Sequence, residues 1–87
     1  MERFSRTELL LGPDAMKRLR AARGVVVGLG AVGSYAVEGL ARAGGGHLRL
    51  VDFDVIRESN INRQLYALQS SVGQYKVDVA SARIQDI

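Results

Sequence analysis

Three glycines at a fixed spacing are the first residues of this sequence that could do chemistry. Gly28, Gly30 and Gly33 form a G-x-G-x-x-G motif directly after a short run of valines. The backbone amides of such a turn, together with the N-terminus of the helix that follows it, can bind a phosphate. Asp52 follows the next apolar run, where an acidic side chain accepts hydrogen bonds from ribose hydroxyls. The pattern predicts a nucleotide site that fits either ATP or NAD.

Charged residues further along the chain bear on which nucleotide is bound. Transfer of an adenylyl group requires positive charge near the β- and γ-phosphates, because pyrophosphate leaves as a polyanion. Arg63 and Lys76 are candidates for this role, although each alone would be read as a surface charge. Asp54 can either assist Mg²⁺ or cap the loop, and both interpretations stay open. The sequence has no cysteine and one histidine, so we predict no metal-ligand cluster within it.

Two strands and a helix must position these residues. The unbroken run Val25 to Val27 is typical of a parallel strand buried on both faces. The apolar residues at Leu48, Leu50 and Val51 predict a second strand that ends at Asp52. Between the strands, four apolar residues at helical spacing predict a helix that ends before three consecutive glycines: Val32, Tyr35, Ala36 and Leu40.

Helices are also predicted at both ends of the chain. Ser5 and Glu8 have the spacing of a capping box before a Gly-Pro break, and a second helix is predicted from Asp14 to about Arg23. The stretch 55–71 is predicted to be a functional loop with one helical turn at 65–68. A last helix is predicted from about Gln74, with its apolar face at Val77, Ala80 and Ile84.

These elements indicate one α/β domain with a Rossmann-like nucleotide-binding fold. We predict a helical arm over 1–23, a β-α-β unit over 24–54, and a phosphate-binding loop and helix over 55–87. Two parallel strands alone would leave both sheet faces open, so we expect the 87 residues to be the front part of a longer domain. The lack of cysteine fits a cytoplasmic protein, and the lack of a signal peptide or of an apolar run of bilayer length predicts no membrane segment. The net charge of +3 only weakly favours a polyanionic partner.

Several motifs in one order resemble a known family. Asp52-x-Asp54, Ser59-Asn60-Ile61-Asn62-Arg63-Gln64 and Val72-Gly73-Gln74-Tyr75-Lys76 are similar to the ubiquitin-activating-enzyme-like, ATP-dependent adenylating enzymes, and the similarity extends from Arg3 to Ile87. The resemblance implies that ATP is the cofactor. It implies that Asp52 binds the ribose and that the phosphates are contacted by Ser59, Asn60, Arg63 and Lys76. Ala31 departs from the family, which usually has another glycine facing the nucleotide at this position.

The same resemblance implies parts of the site that lie outside this stretch. Arg6 resembles an arginine that reaches the γ-phosphate of the neighbouring subunit, which implies a homodimer. The aspartate that binds Mg²⁺, and any catalytic cysteine, would lie beyond Ile87.

Within the family, three segments look most like the tRNA threonylcarbamoyladenosine dehydratases: 5–12, 34–38 and 59–65. That branch implies a tRNA substrate whose threonyl carboxylate is activated by ATP and then closes into a ring, and a possible sulfur-transfer partner protein. The basic N-terminal region would suit tRNA. Two alternatives stay open, namely adenylation of the C-terminus of a ubiquitin-like sulfur carrier and an NAD-binding Rossmann domain.

Overall fold

The computed structural model describes residues 2–87 and contains two strands and six helical segments. A 3-10 helix at Glu2–Phe4 leads into α1 (Ser5–Leu11) and α2 (Pro13–Ala21). Strand β1 (Arg23–Val27), helix α3 (Ala31–Arg42) and strand β2 (His47–Val51) follow. A second 3-10 helix at Glu58–Asn60 and the helix α4 (Lys76–Gln85) complete the order. None of these helices is long and apolar enough to cross a bilayer.

The two strands are parallel, and α3 connects them. Arg23 pairs with His47 at one end of the register and Val27 pairs with Val51 at the other. This arrangement confirms the predicted β-α-β unit. The carboxyl ends of both strands therefore lie at one edge of the sheet, next to the glycine motif and Asp52.

One face of the sheet is covered and the other is open within the described residues. Val26 and Leu50 pack against the core, whereas Val25 and Val27 are 62% and 77% exposed. The prediction that the first strand is buried on both faces is therefore wrong for residues 2–87. Consecutive side chains of a strand point to opposite faces, and here α3 and α4 supply contacts on only one of them.

The predicted helix between the strands is confirmed as α3, but the apolar residues that predict it do not mark the face that it buries. Val32, Tyr35 and Leu40 are largely exposed, while Ser34 and Val37 are fully buried. The rotation of the helix is fixed by its first turn, because a Cβ at Gly33 would lie 1.7 Å from the Gly28 carbonyl oxygen and that side must face the loop. Ser34 and Val37 are three positions apart and therefore share the buried face of the helix.

Several element boundaries differ from prediction. Ser5 is not an N-cap, because the 3-10 helix runs directly into α1, and the capping residue is Phe4 without a side-chain bond. Helix α2 ends at Ala21 because Arg23 already pairs in the sheet. The long loop has a 3-10 helix at Glu58–Asn60 that was not predicted, and near the predicted turn at 65–68 the Ala67 N–H donates to the Gln64 carbonyl at 3.1 Å.

The core lies between β1, β2, α3, α4 and the long loop. Six buried residues form this core: Leu29, Val37, Ile56, Tyr66, Ala67 and Ala80. Val77 and Ile84 pack against this cluster, as the spacing of the last helix predicts, although α4 begins at Lys76 and not at Gln74. The long loop thus contributes three core residues and is held against the rest of the domain.

Candidate nucleotide-binding site

The glycine motif forms a tight turn at the carboxyl edge of the sheet. Gly28 has φ of +90°, a conformation that side-chain-bearing residues rarely adopt, and its N–H donates to the Val51 carbonyl at 2.8 Å. Gly33 has no room for a Cβ beside the Gly28 carbonyl oxygen. No side chain caps α3 at Gly30, so the first amides of this helix are available to an anion. The turn has the geometry that the motif predicts for a phosphate.

Asp52 is fixed opposite this turn by two backbone donors. The Leu29 N–H donates to Oδ2 at 2.7 Å, and the Asp54 N–H donates to Oδ1 at 2.8 Å. Each carboxylate oxygen can accept more than one hydrogen bond, so both can still receive a ribose hydroxyl. Asp52 is therefore oriented for the predicted role and also holds the loop together.

Lys76 is joined to the same edge through the backbone. Its N–H donates to the Asp54 carbonyl at 3.0 Å, and it is the first residue of α4. The residue is only 7% exposed, and within residues 2–87 its ammonium has no carboxylate partner. A cation at a helix N-terminus also faces the positive end of the helix dipole. Lys76 is thus a largely buried residue whose ammonium has no internal counter-charge among residues 2–87 and is available to an added anion.

The Asn60 residue organises the loop that carries Arg63. Its side-chain oxygen accepts the Arg57 N–H at 2.9 Å, and its carbonyl accepts the N–H groups of Arg63 and Gln64 at 3.2 and 2.9 Å. The residue is 8% exposed, so its oxygen serves the loop and its side-chain N–H groups remain as possible donors.

Arg63 itself is exposed at the surface of this loop. Its guanidinium donates to the Ser59 carbonyl at 3.2 Å and to the Asn62 side-chain oxygen at 2.9 Å. Among the described residues it makes no ion pair, so its charge is available to a ligand. The Ser59 and Asp54 side chains are exposed as well.

Two residues outside the predicted set join the Arg63 loop to the glycine motif. The Gln64 amide nitrogen lies 3.8 Å from the point that a Cβ of Gly30 would occupy, and Gln64 is 8% exposed. The Ser34 hydroxyl accepts the Leu65 N–H at 3.2 Å. The sequence signal for Ser34 is its place one turn after Gly30.

Arg6 is separate from this group. It is exposed on α1, which packs against α2 and the first 3-10 helix. Phe4 lies near Gly44, just before β2, so the arm begins at the amino end of the strands. Hydrogen bonds thus join Asp54 and Lys76 to Asp52 at the glycine turn. The loop that carries Arg63 meets this turn through Gln64 and Ser34, whereas Arg6 lies apart.

Two cavities lie away from the carboxyl ends of the strands, where the predicted site is. A cavity of about 450 Å³ is lined by Arg3, Arg20 and the glycines before β2, and one of about 610 Å³ lies on the open sheet face around Arg49. Neither is lined by a predicted site residue. Residues 2–87 contain no group of three or more acidic or histidine side chains that could hold a metal ion.

A cluster of ion pairs joins α3 to α4. Glu38 accepts two hydrogen bonds from Arg83 at 2.8 and 2.9 Å and one from Arg42 at 3.0 Å. The Arg83 hydrogen bonds, with a smaller effect of Arg42, hold the pKa of the Glu38 carboxyl below its usual value, and Glu38 raises the pKa of Arg83. Burial raises the pKa of Tyr66, whose hydroxyl is buried without a partner among the described residues.

Comparisons with known proteins agree with this arrangement. The model of the ThiF family matches residues 4–87. The chain is 49% identical to the tRNA threonylcarbamoyladenosine dehydratase of Bacillus subtilis, over 100% of this chain and 34% of that protein. It is 44% identical to the molybdopterin-synthase adenylyltransferase of Salmonella typhimurium, over 92% of this chain and 33% of that protein.

The solved structures agree as well. The crystal structure of the Escherichia coli tRNA N6-threonylcarbamoyladenosine dehydratase in complex with ATP matches with a TM-score of 0.96 and 42% identity, over 98% of this chain and 35% of that one. The chain thus spans about a third of the length of the relatives it matches. The family model, the relatives and the shared fold confirm the resemblance seen in the motifs, and this chain belongs to the ThiF family.

Proposed function

We propose that this chain is the ATP-binding part of an enzyme that adenylates a carboxylate, and that the carboxylate is the threonyl group of N6-threonylcarbamoyladenosine in tRNA. The observation that carries the ATP site is Lys76, a residue that is 7% exposed and whose ammonium has no anionic partner in residues 2–87. It is linked through Asp54 to Asp52 at the glycine turn. A polyphosphate chain that runs from this turn towards Lys76 and Arg63 would satisfy all of these groups.

The chemistry follows from this placement. Asp52 binds the ribose, the amides at the start of α3 bind phosphate, and Lys76 and Arg63 neutralise the charge that builds up on the leaving pyrophosphate. A carboxylate oxygen of the substrate attacks the α-phosphorus, and the bond to pyrophosphate breaks. An atom of the same modified nucleoside then attacks the activated acyl carbon, which closes a ring and releases AMP. The carboxylate oxygen leaves with AMP, so the nucleoside loses one water in total.

The remaining parts of the proposal involve other groups. We expect Mg²⁺ on the phosphates, where it lowers their negative charge, with an aspartate ligand after Ile87. We expect Arg6 to act at the site of a second subunit in a homodimer, because α1 does not place it near the site of its own chain. The substrates of the reaction, ATP and tRNA, lead us to expect a cytoplasmic protein, and a sulfur-transfer protein is a possible further partner.

The choice of substrate depends on the relatives. Three dehydratases are 43–49% identical over nearly the whole chain, whereas a sulfur carrier protein ThiS adenylyltransferase of Bacillus subtilis is 38% identical over 92% of it. The 44% identity to the molybdopterin-synthase adenylyltransferase makes adenylation of a sulfur carrier the second candidate function. Both candidates use the same ATP site and differ in the carboxylate that is presented to it.

The test is AMP release by the full-length protein with Mg-ATP. Threonylcarbamoylated tRNA and a ubiquitin-like sulfur carrier are added in separate reactions, and unmodified tRNA serves as the control for nonspecific RNA effects. Stimulation by the modified tRNA alone supports the dehydratase. Stimulation by the carrier alone would identify the carrier as the substrate and leave the proposed ATP site unchanged. Silence with both, together with tight NAD binding, would refute the adenylating function.

The Arg63→Ala variant tests the phosphate role within the same assay. We expect AMP release to be lost, because the leaving pyrophosphate would lose one of its two proposed cations. Arg57→Ala, another exposed arginine near the 3-10 turn, is the matched control and should retain activity. Full turnover by Arg63→Ala would contradict the assignment.

A further inference from the structure

Ser34 lies at the contact between α3 and the loop that carries Arg63. It is 0% exposed, and its hydroxyl accepts the Leu65 N–H at 3.2 Å, two positions after Arg63. The same hydroxyl donates to the Ala31 carbonyl at 3.4 Å, which orients its lone pairs towards Leu65. Within the part of the chain that the structure describes, this is the one hydrogen bond between α3 and the segment 57–73.

The other amides next to Arg63 are satisfied inside the loop. The N–H groups of Arg63 and Gln64 both donate to the Asn60 carbonyl. These bonds fix the shape of the loop but do not tie it to another element. Ser34 makes the hydrogen bond that joins the loop to another element. It lies in the first turn of α3, and its own N–H donates to the Gly30 carbonyl at 3.0 Å. The hydroxyl therefore connects the position of Arg63 directly to the glycine turn.

A serine at this position needs a reason. Alanine is the better helix former and carries no polar group, so a buried serine is favourable only when its hydroxyl is well used. Without the hydroxyl, the Leu65 amide would lose its acceptor at a part-buried site. The next buried residue of the same face, Val37, is apolar and also 0% exposed, which shows that the face itself does not call for a polar side chain.

We propose that Ser34 is a positioning residue of the phosphate site, which holds Arg63 at the distance from the α3 N-terminus that the β- and γ-phosphates require. This inference rests on the proposed ATP site. Ser34 does not touch the nucleotide. It acts through Leu65 and the backbone that leads to Arg63, so it governs the outer phosphates and leaves the ribose contact at Asp52 unchanged.

The test compares ATP and AMP binding by the full-length protein with calorimetry. AMP has the ribose and α-phosphate and lacks the groups that Arg63 would contact. In Ser34→Ala we expect ATP affinity to fall by about fivefold or more while AMP affinity stays within about twofold, since a part-buried amide loses its acceptor and the loop moves. Val37→Ala is the matched control, because it removes buried volume one turn later and should lower the unfolding temperature without changing the ratio of ATP to AMP affinity.

Two further variants separate the hydrogen bond from packing. Ser34→Cys keeps a side chain of similar size, but a thiol is a weak acceptor, so it should follow Ser34→Ala. In an Arg63→Ala background, Ser34→Ala should cause no further loss of ATP affinity, since both changes act on one contact. A wild-type ATP to AMP ratio in Ser34→Ala or Ser34→Cys, or an additive loss in the double variant, would overturn the positioning role.

Failure of this inference is distinguishable from failure of the proposed function. If the wild-type protein binds ATP more tightly than AMP and Ser34→Ala behaves like wild type, the ATP site stands and the role of Ser34 is refuted. If the wild-type protein binds neither nucleotide, the proposed function fails first.

Discussion

Replacement of Lys76 by methionine should stabilise the ligand-free protein and weaken ATP binding at the same time. Lys76 is 7% exposed, lacks a carboxylate partner among the described residues, and starts α4. Methionine has a similar length and carries no charge, so it can fill the same space. A gain in the free energy of unfolding together with a loss of ATP affinity is expected only if the Lys76 charge serves ligand binding and does not stabilise the fold.

The size of each effect follows from the environment of the side chain. Removal of a cation from the N-terminus of α4 should raise the free energy of unfolding by about 0.3–1 kcal/mol, because the cation faces the positive end of the helix dipole. Loss of a hydrogen bond to a charged phosphate costs about 1.5–3 kcal/mol, which is about 10- to 150-fold in ATP affinity.

The assay is urea unfolding of the full-length protein without nucleotide, together with calorimetric ATP titration. Lys17→Met is the control, because Lys17 is the other lysine of the chain and lies exposed on α2. It should change neither quantity by more than about 0.5 kcal/mol. A clear loss of stability in Lys76→Met would mean that Lys76 has an internal structural role, and the argument for a phosphate partner would be wrong.

Two further predictions concern the framework of the site. Gly33→Ala should strongly destabilise the fold and abolish nucleotide binding, because its Cβ would lie 1.7 Å from the Gly28 carbonyl oxygen and the backbone would have to move. Thermal unfolding followed by circular dichroism checks the loss of stability. Gly39→Ala is the control, since a Cβ at Gly39 would meet no atom within 4 Å. The lowered pKa of Glu38 means that its ion pair with Arg83 contributes its full stability above the unfolded-state pKa of about 4.3, and that this stability is lost as the pH falls through the lower folded-state pKa. Glu38→Gln should remove this part of the acid sensitivity in urea unfolding measured between pH 3 and 7. An unchanged pH profile would contradict the assignment.

Local patterns predicted the β-α-β unit and the position of the glycine motif, because a strand, a turn and a helix each depend on a few adjacent residues. The face that α3 buries was not predictable in the same way. Val32, Tyr35 and Leu40 have the correct helical period but the wrong rotation about the axis. That rotation is set by the contact of Gly33 with Gly28, which hydrophobic periodicity does not register. The link from Ser34 to Leu65 joins residues 31 positions apart and was likewise invisible in the sequence.

The residues of the site differ in how much their substitution can reveal about chemistry. Asp52 and Asn60 use side-chain oxygens to accept backbone N–H groups, so a change at either position disturbs the loop even when no ligand is bound. Lys76 makes no such side-chain contact among the described residues, and the contacts of Arg63 lie within its own loop. A loss of ATP binding in Lys76 or Arg63 variants therefore reports on the phosphates themselves. The same loss in Asp52 or Asn60 variants cannot separate ribose or phosphate binding from the integrity of the loop that presents them.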